Sequence, residues 1–386
     1  MGIRIDYRGK IRSYGFPKRL ESELIALFED NVDRIHSQTR RSRNALSVKT
    51  QEYRLVGVCA AIRELRGEGG YAIESPWSIR HKHVTWLVTY WVKKGQTGGT
   101  IENKLTYLRA TAHWMGKPNL VLTLERYVDR KAAGLKRHYT AQEDLSWSGK
   151  GIDIDVEIRR IEAEDAIAGL QLRLMWKFGL RVEEAFKFRP TQDLRDGAIF
   201  VSEGSKGGRS RPVPITRPKE QYDLLVAAAG FKNSRTGSTI PDAHSYDSWS
   251  NHFYELVAKH GVTKEGRLGR TPHGLRHEYM QGLYTDVTGE LAPIKDGSRR
   301  VDREVHREGQ RRVAEAAGHS RVSKANAYLS TYATQEVKRR LVISPTQAAQ
   351  AVTEHGGNKS KAAIALGISR RALYRLLERY ESGDQS

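Results

Sequence analysis

The sequence predicts a mostly helical α+β protein built from several domains. Apolar residues recur every three or four positions in the regions 45–125 and 155–178, as they do in helices that pack on one face. Two short β segments, 198–202 and 211–215, flank a glycine-rich turn. Near the C-terminus, two helical patterns are joined by a tight glycine turn, which is the plan of a helix-turn-helix.

The composition favours a folded protein with a polyanionic partner. The chain has 386 residues, a length typical of two to four domains. Hydrophobic residues make up 38% of it, which is enough for packed cores and argues against a disordered polybasic chain. Lys and Arg number 65 and Asp and Glu 45, so the formal net charge is +20. This charge alone leaves DNA, RNA and acidic surfaces open as partners.

Cysteine content and hydropathy exclude several classes of protein. The single cysteine, Cys59, excludes a disulfide framework and any thiolate-based zinc or iron–sulfur site. No run of 18 apolar residues is present, so we expect no membrane span. The first ten residues are charged where a signal peptide is apolar, and Asp6 replaces the Ser or Thr of a myristoylation signal. We therefore expect a cytoplasmic protein.

The N-terminal third divides into two predicted parts and a linker. Residues 1–44 form a basic segment with a helix over 18–35, and its charges suit either a solvated surface or an arm that contacts DNA. Residues 45–125 form a helical domain, in which Ser75 and the following proline cap a helix with an aromatic core face. A second helix opens at Thr100. The polar stretch 126–154 is predicted to be a linker.

An α+β region over 155–343 carries four short segments with chemically useful side chains. The first holds Arg181 and Glu184, and the second, in the glycine-rich turn, holds Lys206. The third and fourth hold the remaining candidates, which are His273, Arg276, His319 and, nine positions further on, Tyr328. Each segment alone is weak, because surface ion pairs, solvated lysines and core tyrosines are common.

Together these residues suit cleavage of a phosphodiester by a phenolic nucleophile. Planar guanidinium groups bind the oxygens of a phosphate and stabilise the charge that develops during attack. An imidazole can take the phenol proton, and a lysine can supply a proton to the departing 5′ oxygen. Thr271 as a cap and Pro272 in the first turn place His273 and Arg276 at a helix N-terminus, where the helix dipole favours a phosphate.

The order Arg, Lys, His-x-x-Arg, Gly-His, Tyr resembles the catalytic domain of the tyrosine site-specific recombinases, the phage-integrase family. The resemblance covers 155–343, and region 45–125 is similar to the core-binding domain of that family. It implies that Arg181 and Arg276 bind the phosphate, that Glu184 steadies the first arginine, and that Lys206 is the general acid. His273 and His319 would be the active-site histidines and Tyr328 the nucleophile.

Two features complicate this assignment. Tyr332 competes with Tyr328, because it lies four residues further on and is expected on the same helical face. The spacing of nine from His319 favours Tyr328. The stretch 285–312 is longer than the family usually has and resembles an inserted loop, either solvated or in contact with DNA or a neighbouring subunit.

The family mechanism implies transient 3′-phosphotyrosine links to double-stranded DNA at attachment sites, with no ATP, cofactor or metal. Two strand exchanges imply a homotetramer, and an accessory directionality factor would be a further partner. The resemblance favours the integrase of a bacterial prophage or integrative mobile element, associated with the nucleoid. A resolvase or invertase acting on host DNA and a non-catalytic architectural protein are the alternatives.

Residues 344–386 resemble the helix-turn-helix of the nucleoid protein Fis and of bacterial activators. Small and branched residues such as Ala362, Leu373 and Leu376 would form its core. Ser369 would cap the second helix, and its arginines would reach base edges or phosphates. The candidate DNA-binding residues are Ser369, Arg370, Arg371 and Arg375. A helical hairpin that does not bind DNA is the alternative.

Overall fold

The computed structural model describes residues 4–36, 41–204, 210–295 and 300–381. The chain forms two compact units, Met1–Arg137 and His138–Ser386. The mostly helical α+β fold predicted from the sequence is confirmed. Within the described residues, no helix is both long enough and apolar enough to cross a membrane.

The first unit is helical, with one small antiparallel hairpin. Its elements are α1 (Tyr7–Arg12), α2 (Lys18–Asn31), β1 (Arg34–His36), β2 (Arg41–Ala45), α3 (Val48–Arg66), α4 (His81–Lys93) and α5 (Gly98–Trp114). The charge pattern sets residues 1–44 apart, but Leu20 and Phe28 of α2 are fully buried in one core with Leu55 and Trp91. Apolar packing therefore joins the basic segment to the helical domain.

Two details of the helix starts in this unit differ from the sequence-based expectation. Ser75 caps a single 3-10 turn, Pro76–Ser78, rather than the long helix, because α4 begins separately at His81. The cap of α5 is the side chain of Thr97, which accepts a hydrogen bond from the backbone N–H of Thr100 at 3.3 Å. Thr100 therefore lies inside the first turn.

The second unit surrounds a three-stranded antiparallel sheet with helices. Its elements are α6 (Ile154–Glu162), α7 (Ala166–Phe178), α8 (Val182–Lys187), β3 (Leu194–Arg195), β4 (Ala198–Val201), β5 (Arg211–Pro214), α9 (Pro218–Gly230), α10 (Tyr246–Lys259), α11 (His273–Thr288), α12 (Arg303–Ala316), α13 (Asn326–Leu329) and α14 (Tyr332–Val342). The strand order is β3-β4-β5, and Ile199 pairs with Val213 in the core. The predicted hairpin is thus present, with one extra short strand.

Two segments predicted to be irregular are largely packed. The boundary between the units falls inside 126–154, where Leu135 is buried in the first core and Trp147 in the second. The expectation of an inserted loop over 285–312 was wrong for half of its length. Residues 285–288 end α11 and 303–312 begin α12, whose Val313 and Ala314 are buried against the core.

The C-terminal residues form three short helices, α15 (Pro345–Glu354), α16 (Lys359–Ala365) and α17 (Arg370–Glu381). Ser344 and Gln347 form a capping box on α15, and Asn358 caps α16. Ser369 Oγ accepts a hydrogen bond from the backbone N–H of Ala372 at 3.3 Å, as its predicted capping role requires. The core is made of alanines together with Ile368, Leu373 and Leu376.

Candidate active site

The first predicted arginine is positioned where α7 ends and α8 begins. Gly179 ends α7 with a φ of +61°, a conformation that suits glycine because it lacks a Cβ. Arg181 then precedes α8, and its backbone N–H and its Nη1 donate to the two oxygens of Glu184 at 2.7 and 2.5 Å. The predicted supporting residue therefore contacts the arginine directly. The Arg181 side chain remains 24% exposed, whereas Glu184 is fully buried.

A third arginine, Arg211 on β5, completes this ion pair and was missed by the sequence analysis. Its Nη1 and Nη2 donate to both oxygens of Glu184 at 2.6 and 2.8 Å, and its Nε donates to the Ala316 carbonyl at 2.7 Å. The strand period contained the signal, because Arg211 lies on the same face as the buried Val213. An arginine on the inner face of a strand needs a buried partner.

Glu184 is the one carboxylate that holds this cluster together. Burial alone would raise its pKa, but Arg211, Arg276 and Arg181 together lower the pKa to about 2. Glu184 is therefore ionised at neutral pH and neutralises one of the three positive charges. The remaining positive charge is what an incoming anion would meet.

Arg276 lies fully buried on α11 and connects three parts of the unit. It donates to the carbonyl oxygens of Gly179 and Ala317, the latter at 2.9 Å, and its Nε donates to the Tyr328 hydroxyl at 3.1 Å. Burial lowers the pKa of Arg276 to about 10, which leaves it charged at neutral pH. The Ala317 carbonyl also accepts from Arg181 Nη2 at 3.0 Å, so one peptide group links both predicted phosphate-binding arginines.

The Gly-His segment brings His319 to the same place. Gly318 has a φ of +73°, and a Cβ at this position would lie 3.0 Å from Cδ of Arg211. Glycine is therefore required both by the backbone conformation and by the close approach of Arg211. The turn leaves the ring centre of His319 at 6.4 Å from that of Tyr328.

The structure separates the two candidate nucleophiles. Tyr328 is buried on α13 beside Arg276, whereas Tyr332 opens the next helix, α14. The expectation of a shared helical face was wrong, because the helix is interrupted at Ser330. The Tyr332 hydroxyl lies 3.3 Å from that of Tyr284, which is 2.7 Å from His306 Nδ1.

Two histidines on α11 lie beside the cluster. His273 is the first residue of α11, and desolvation, followed by the charges of Arg276 and Arg181, lowers its pKa to about 4. His277, one turn along, was not predicted, although the spacing of four places both rings on one face. Its ring centre is 5.0 Å from that of Tyr328, and burial, followed by the effect of His273, lowers its pKa to about 3.

Some predicted features differ or fall outside the description. Lys206 lies in 205–209, outside the described residues. Thr271 does not cap α11 through its side chain, and its carbonyl instead accepts from the Gly274 N–H at 2.9 Å and from Trp147 Nε1 at 3.0 Å. Across the described part of the chain, no three His, Cys, Asp or Glu side chains are grouped to hold a metal ion.

The four predicted residues of the helix-turn-helix lie at the start and first turns of α17. Ser369, Arg370, Arg371 and Arg375 are all exposed. Because Leu373 and Leu376 anchor the opposite side of α17 in the core, these side chains are presented to solvent. The surface is thus available for a ligand, and the core of this module does not depend on it.

Comparisons with known families agree with both motif assignments. Residues 147–282 match the family model described as Integrase, and residues 349–380 match the model described as Bacterial regulatory protein, Fis family. No curated protein matches the chain in sequence. The predicted resemblance to the phage-integrase family and to Fis is thereby confirmed for these two regions.

Solved structures of the lambda integrase have a similar fold. A lambda integrase dimer bound to a COC′ core site aligns with a TM-score of 0.51 and 16% identity, over 83% of this chain and 80% of that one. A lambda integrase tetramer bound to a Holliday junction aligns with the same TM-score and 15% identity, over 84% and 81%. The chain therefore has a fold similar to that of the lambda integrase, and a region that matches the Integrase model is followed by one that matches the Fis-family model.

Proposed function

We propose that this protein is a site-specific DNA recombinase that cuts and rejoins DNA through a 3′-phosphotyrosine link to Tyr328. The observation that carries the proposal is the hydrogen bond of 3.1 Å between Arg276 Nε and the Tyr328 hydroxyl. A phosphate that took this guanidinium donor would lie directly beside the phenol oxygen, which is the geometry that nucleophilic attack needs.

The buried cluster supports binding of the scissile phosphate. The Arg181 guanidinium is partly exposed, whereas Arg276 is fully buried beside the Tyr328 hydroxyl. A phosphate enters as the Tyr328 side chain moves off Arg276. Both arginines are held by the Ala317 carbonyl, so they would meet the developing charge without reorganisation.

In the cleavage step, the Tyr328 oxygen bonds to phosphorus while the bond to the 5′ oxygen breaks. We assign the phenol proton to His319, because His277, with a pKa of about 3, is a weak base at neutral pH. Lys206, carried over from the family pattern, would donate the proton to the 5′ oxygen. A 5′ hydroxyl from a partner duplex then attacks the phosphotyrosine and releases Tyr328.

The proposed partner is double-stranded DNA at attachment sites, in a homotetramer during strand exchange. The similar lambda integrase structures, a dimer on a core site and a tetramer on a Holliday junction, support this assembly. The Integrase family match favours a prophage or integrative element over a resolvase or invertase of host DNA. Attachment-site repeats beside the gene would test that choice.

The decisive experiment is incubation of the full chain with a nicked suicide DNA substrate, which traps the covalent adduct. We expect an adduct with the wild-type chain and with Tyr332→Phe, and none with Tyr328→Phe. Tyr332 is a matched control because it is a tyrosine of the next helix with its own hydroxyl partner. The proposal fails if the wild type forms no adduct or if Tyr328→Phe still forms one.

A further inference from the structure

The helix that carries Tyr328 is too short to hold its own position. It spans four residues, Asn326–Leu329, and offers a single turn of backbone hydrogen bonds. Its orientation must therefore come from contacts with other segments. Several of these contacts come from residues 138–148, which begin the second unit and which we call the strap.

The strap is bonded to both ends of this helix. The backbone N–H of Ala141 donates to the Asn326 carbonyl at 2.8 Å, and Ser330 Oγ donates to the Ala141 carbonyl at 2.8 Å. One residue of the strap thus bridges the start and the end of the nucleophile helix. Ser330 Oγ also accepts from Gln335 Nε2 at 2.8 Å, so its hydroxyl is fully engaged.

Ser330 also has an unusual backbone conformation. Its φ is +63° and its ψ is −164°, and among the described residues other than glycine only Asp196 shares a positive φ. Such a conformation is unfavourable for a residue with a Cβ and persists only where surrounding contacts enforce it. The Ser330 side chain is fully buried and bonded to the strap, which supplies one of those contacts.

A second connection reaches Tyr328 itself through a buried glutamine. Gln281 Nε2 on α11 donates to Asp144 Oδ1 of the strap at 2.9 Å and to the Tyr328 carbonyl at 3.3 Å. Gln281 lies one turn beyond His277, on the helix that also carries Arg276. Gln281 therefore links Asp144 of the strap both to the backbone of the nucleophile helix and to the helix that carries Arg276.

The strap itself is attached to the start of α11 and to the segment just before it. Arg270 donates to the carbonyls of Ser146 and Asp144 at 3.0 and 2.6 Å, and Trp147 is fully buried. Gly274 is needed for this approach, because a Cβ there would lie 2.6 Å from the Leu145 carbonyl oxygen. The glycine of the His-Gly-Leu-Arg segment thus has a packing role in addition to its place in the motif.

Resting on the proposed function, we infer that the strap positions the Tyr328 nucleophile, with Ser330 and Gln281 as the positioning residues. Neither side chain contacts the reacting atoms, and both act through the backbone of the nucleophile helix. Because small displacements of a nucleophile slow attack strongly, loosening this helix reduces the cleavage rate without weakening DNA binding.

The test compares Ser330→Ala and Gln281→Met in the full chain. We expect the single-turnover cleavage rate on saturating nicked DNA to fall by about tenfold to a hundredfold for each variant. The Kd for the same DNA should stay within about twofold. A purely structural role would alter the melting temperature and leave the rate of the folded fraction unchanged.

Gln171→Met is the matched control. Gln171 is an equally buried glutamine of α7, and its amide bonds to the Thr239 carbonyl and to Trp249 rather than to the strap. This variant should lose stability while its folded fraction cleaves at the wild-type rate. If Ser330→Ala does not fold, Ala141→Pro removes the N–H that donates to Asn326, and Ala141→Gly keeps it.

The outcomes separate the inference from the function on which it rests. An inactive wild type overturns the proposed recombinase. An active wild type with positioning variants that cleave at the same rate or faster overturns the role of the strap. Slower cleavage at unchanged Kd, absent from Gln171→Met, supports it.

Discussion

The candidate active site and the helix-turn-helix both contain several arginines, but the two regions hold them in opposite ways. Arg211 and Arg276 are buried, and their donors are directed at Glu184 and at backbone carbonyls. Arg370 and Arg371 are exposed at the start of α17. A buried guanidinium needs a partner for its charge, whereas an exposed one keeps its water.

The arginines of the active site are held in fixed positions by protein groups, whereas Arg370 and Arg371 of α17 are exposed to solvent. In the active site, one carboxylate and the carbonyls of Gly179, Ala316 and Ala317 fix three arginines in place before a ligand arrives. On α17, exposed arginine side chains would lose rotamer freedom if they bound DNA. We therefore expect substitutions to affect stability in the first region and binding in the second.

Glu184→Gln should give the largest effect on stability. The change leaves Arg211 and Arg276 buried without their counter-charge, which typically costs about 3–5 kcal/mol. Urea unfolding of the full chain at pH 7 measures it. Glu378→Gln on the exposed face of α17 is the control, with an expected change within about 0.5 kcal/mol. Equal stabilities of the two variants would contradict the conclusion that Glu184 stabilises the buried arginine cluster.

The sequence predicted the parts of this site that follow a local pattern. Arg181, Arg276 and His319 stand in short segments of fixed spacing, and Tyr328 follows at the distance that the family resemblance implies. Arg211 and His277 do not stand out, because their importance depends on partners far away along the chain. Glu184 lies 27 positions from Arg211, and Tyr328 lies 51 positions from His277.

The helix-turn-helix was easier to predict, because its contacts are local. Caps, glycine turn and core all fall within 43 residues, so periodicity and capping residues determine them. The strap illustrates the opposite case. Residues 126–154 are polar and resemble a linker, and Ser330 Oγ meets Ala141 across 189 positions. No local sequence pattern predicts such a contact.

Burial of His277 beside the candidate active site should make the stability of the protein depend on pH. His277 has a folded-state pKa of about 3, below its ordinary value near 6.5, so the unfolded chain binds its proton first. The stability that comes from burying this neutral histidine is fully present above about pH 6.5, and it is lost as the pH falls toward 3. Between pH 7.5 and 5.5, this histidine should account for about 1 kcal/mol of lost stability.

Urea unfolding at the two pH values tests this, with His277→Leu as the variant. The difference in unfolding free energy between pH 7.5 and 5.5 should shrink by about 1 kcal/mol in His277→Leu. His355→Asn changes an exposed histidine of the C-terminal module and should leave the difference as in the wild type. An unchanged pH dependence in His277→Leu would show that its burial is not what couples stability to pH.

The double variant Arg370→Ala with Arg371→Ala should give the smallest effect, limited to DNA binding. Both side chains are exposed and outside the core of the module, so stability should change by less than about 0.5 kcal/mol. Loss of two phosphate contacts should weaken the Kd by about three- to tenfold and reduce the slope of log K against log salt by about two. If the arginines read bases instead, the preference for the cognate site falls while the salt slope changes little.

Arg311→Ala is the control, because this exposed arginine is already bonded to Glu308 and Glu315. A double variant that binds with wild-type Kd, salt slope and sequence preference would mean that the exposed arginines of α17 do not contact DNA, and that the positive charge used for binding lies elsewhere in the chain.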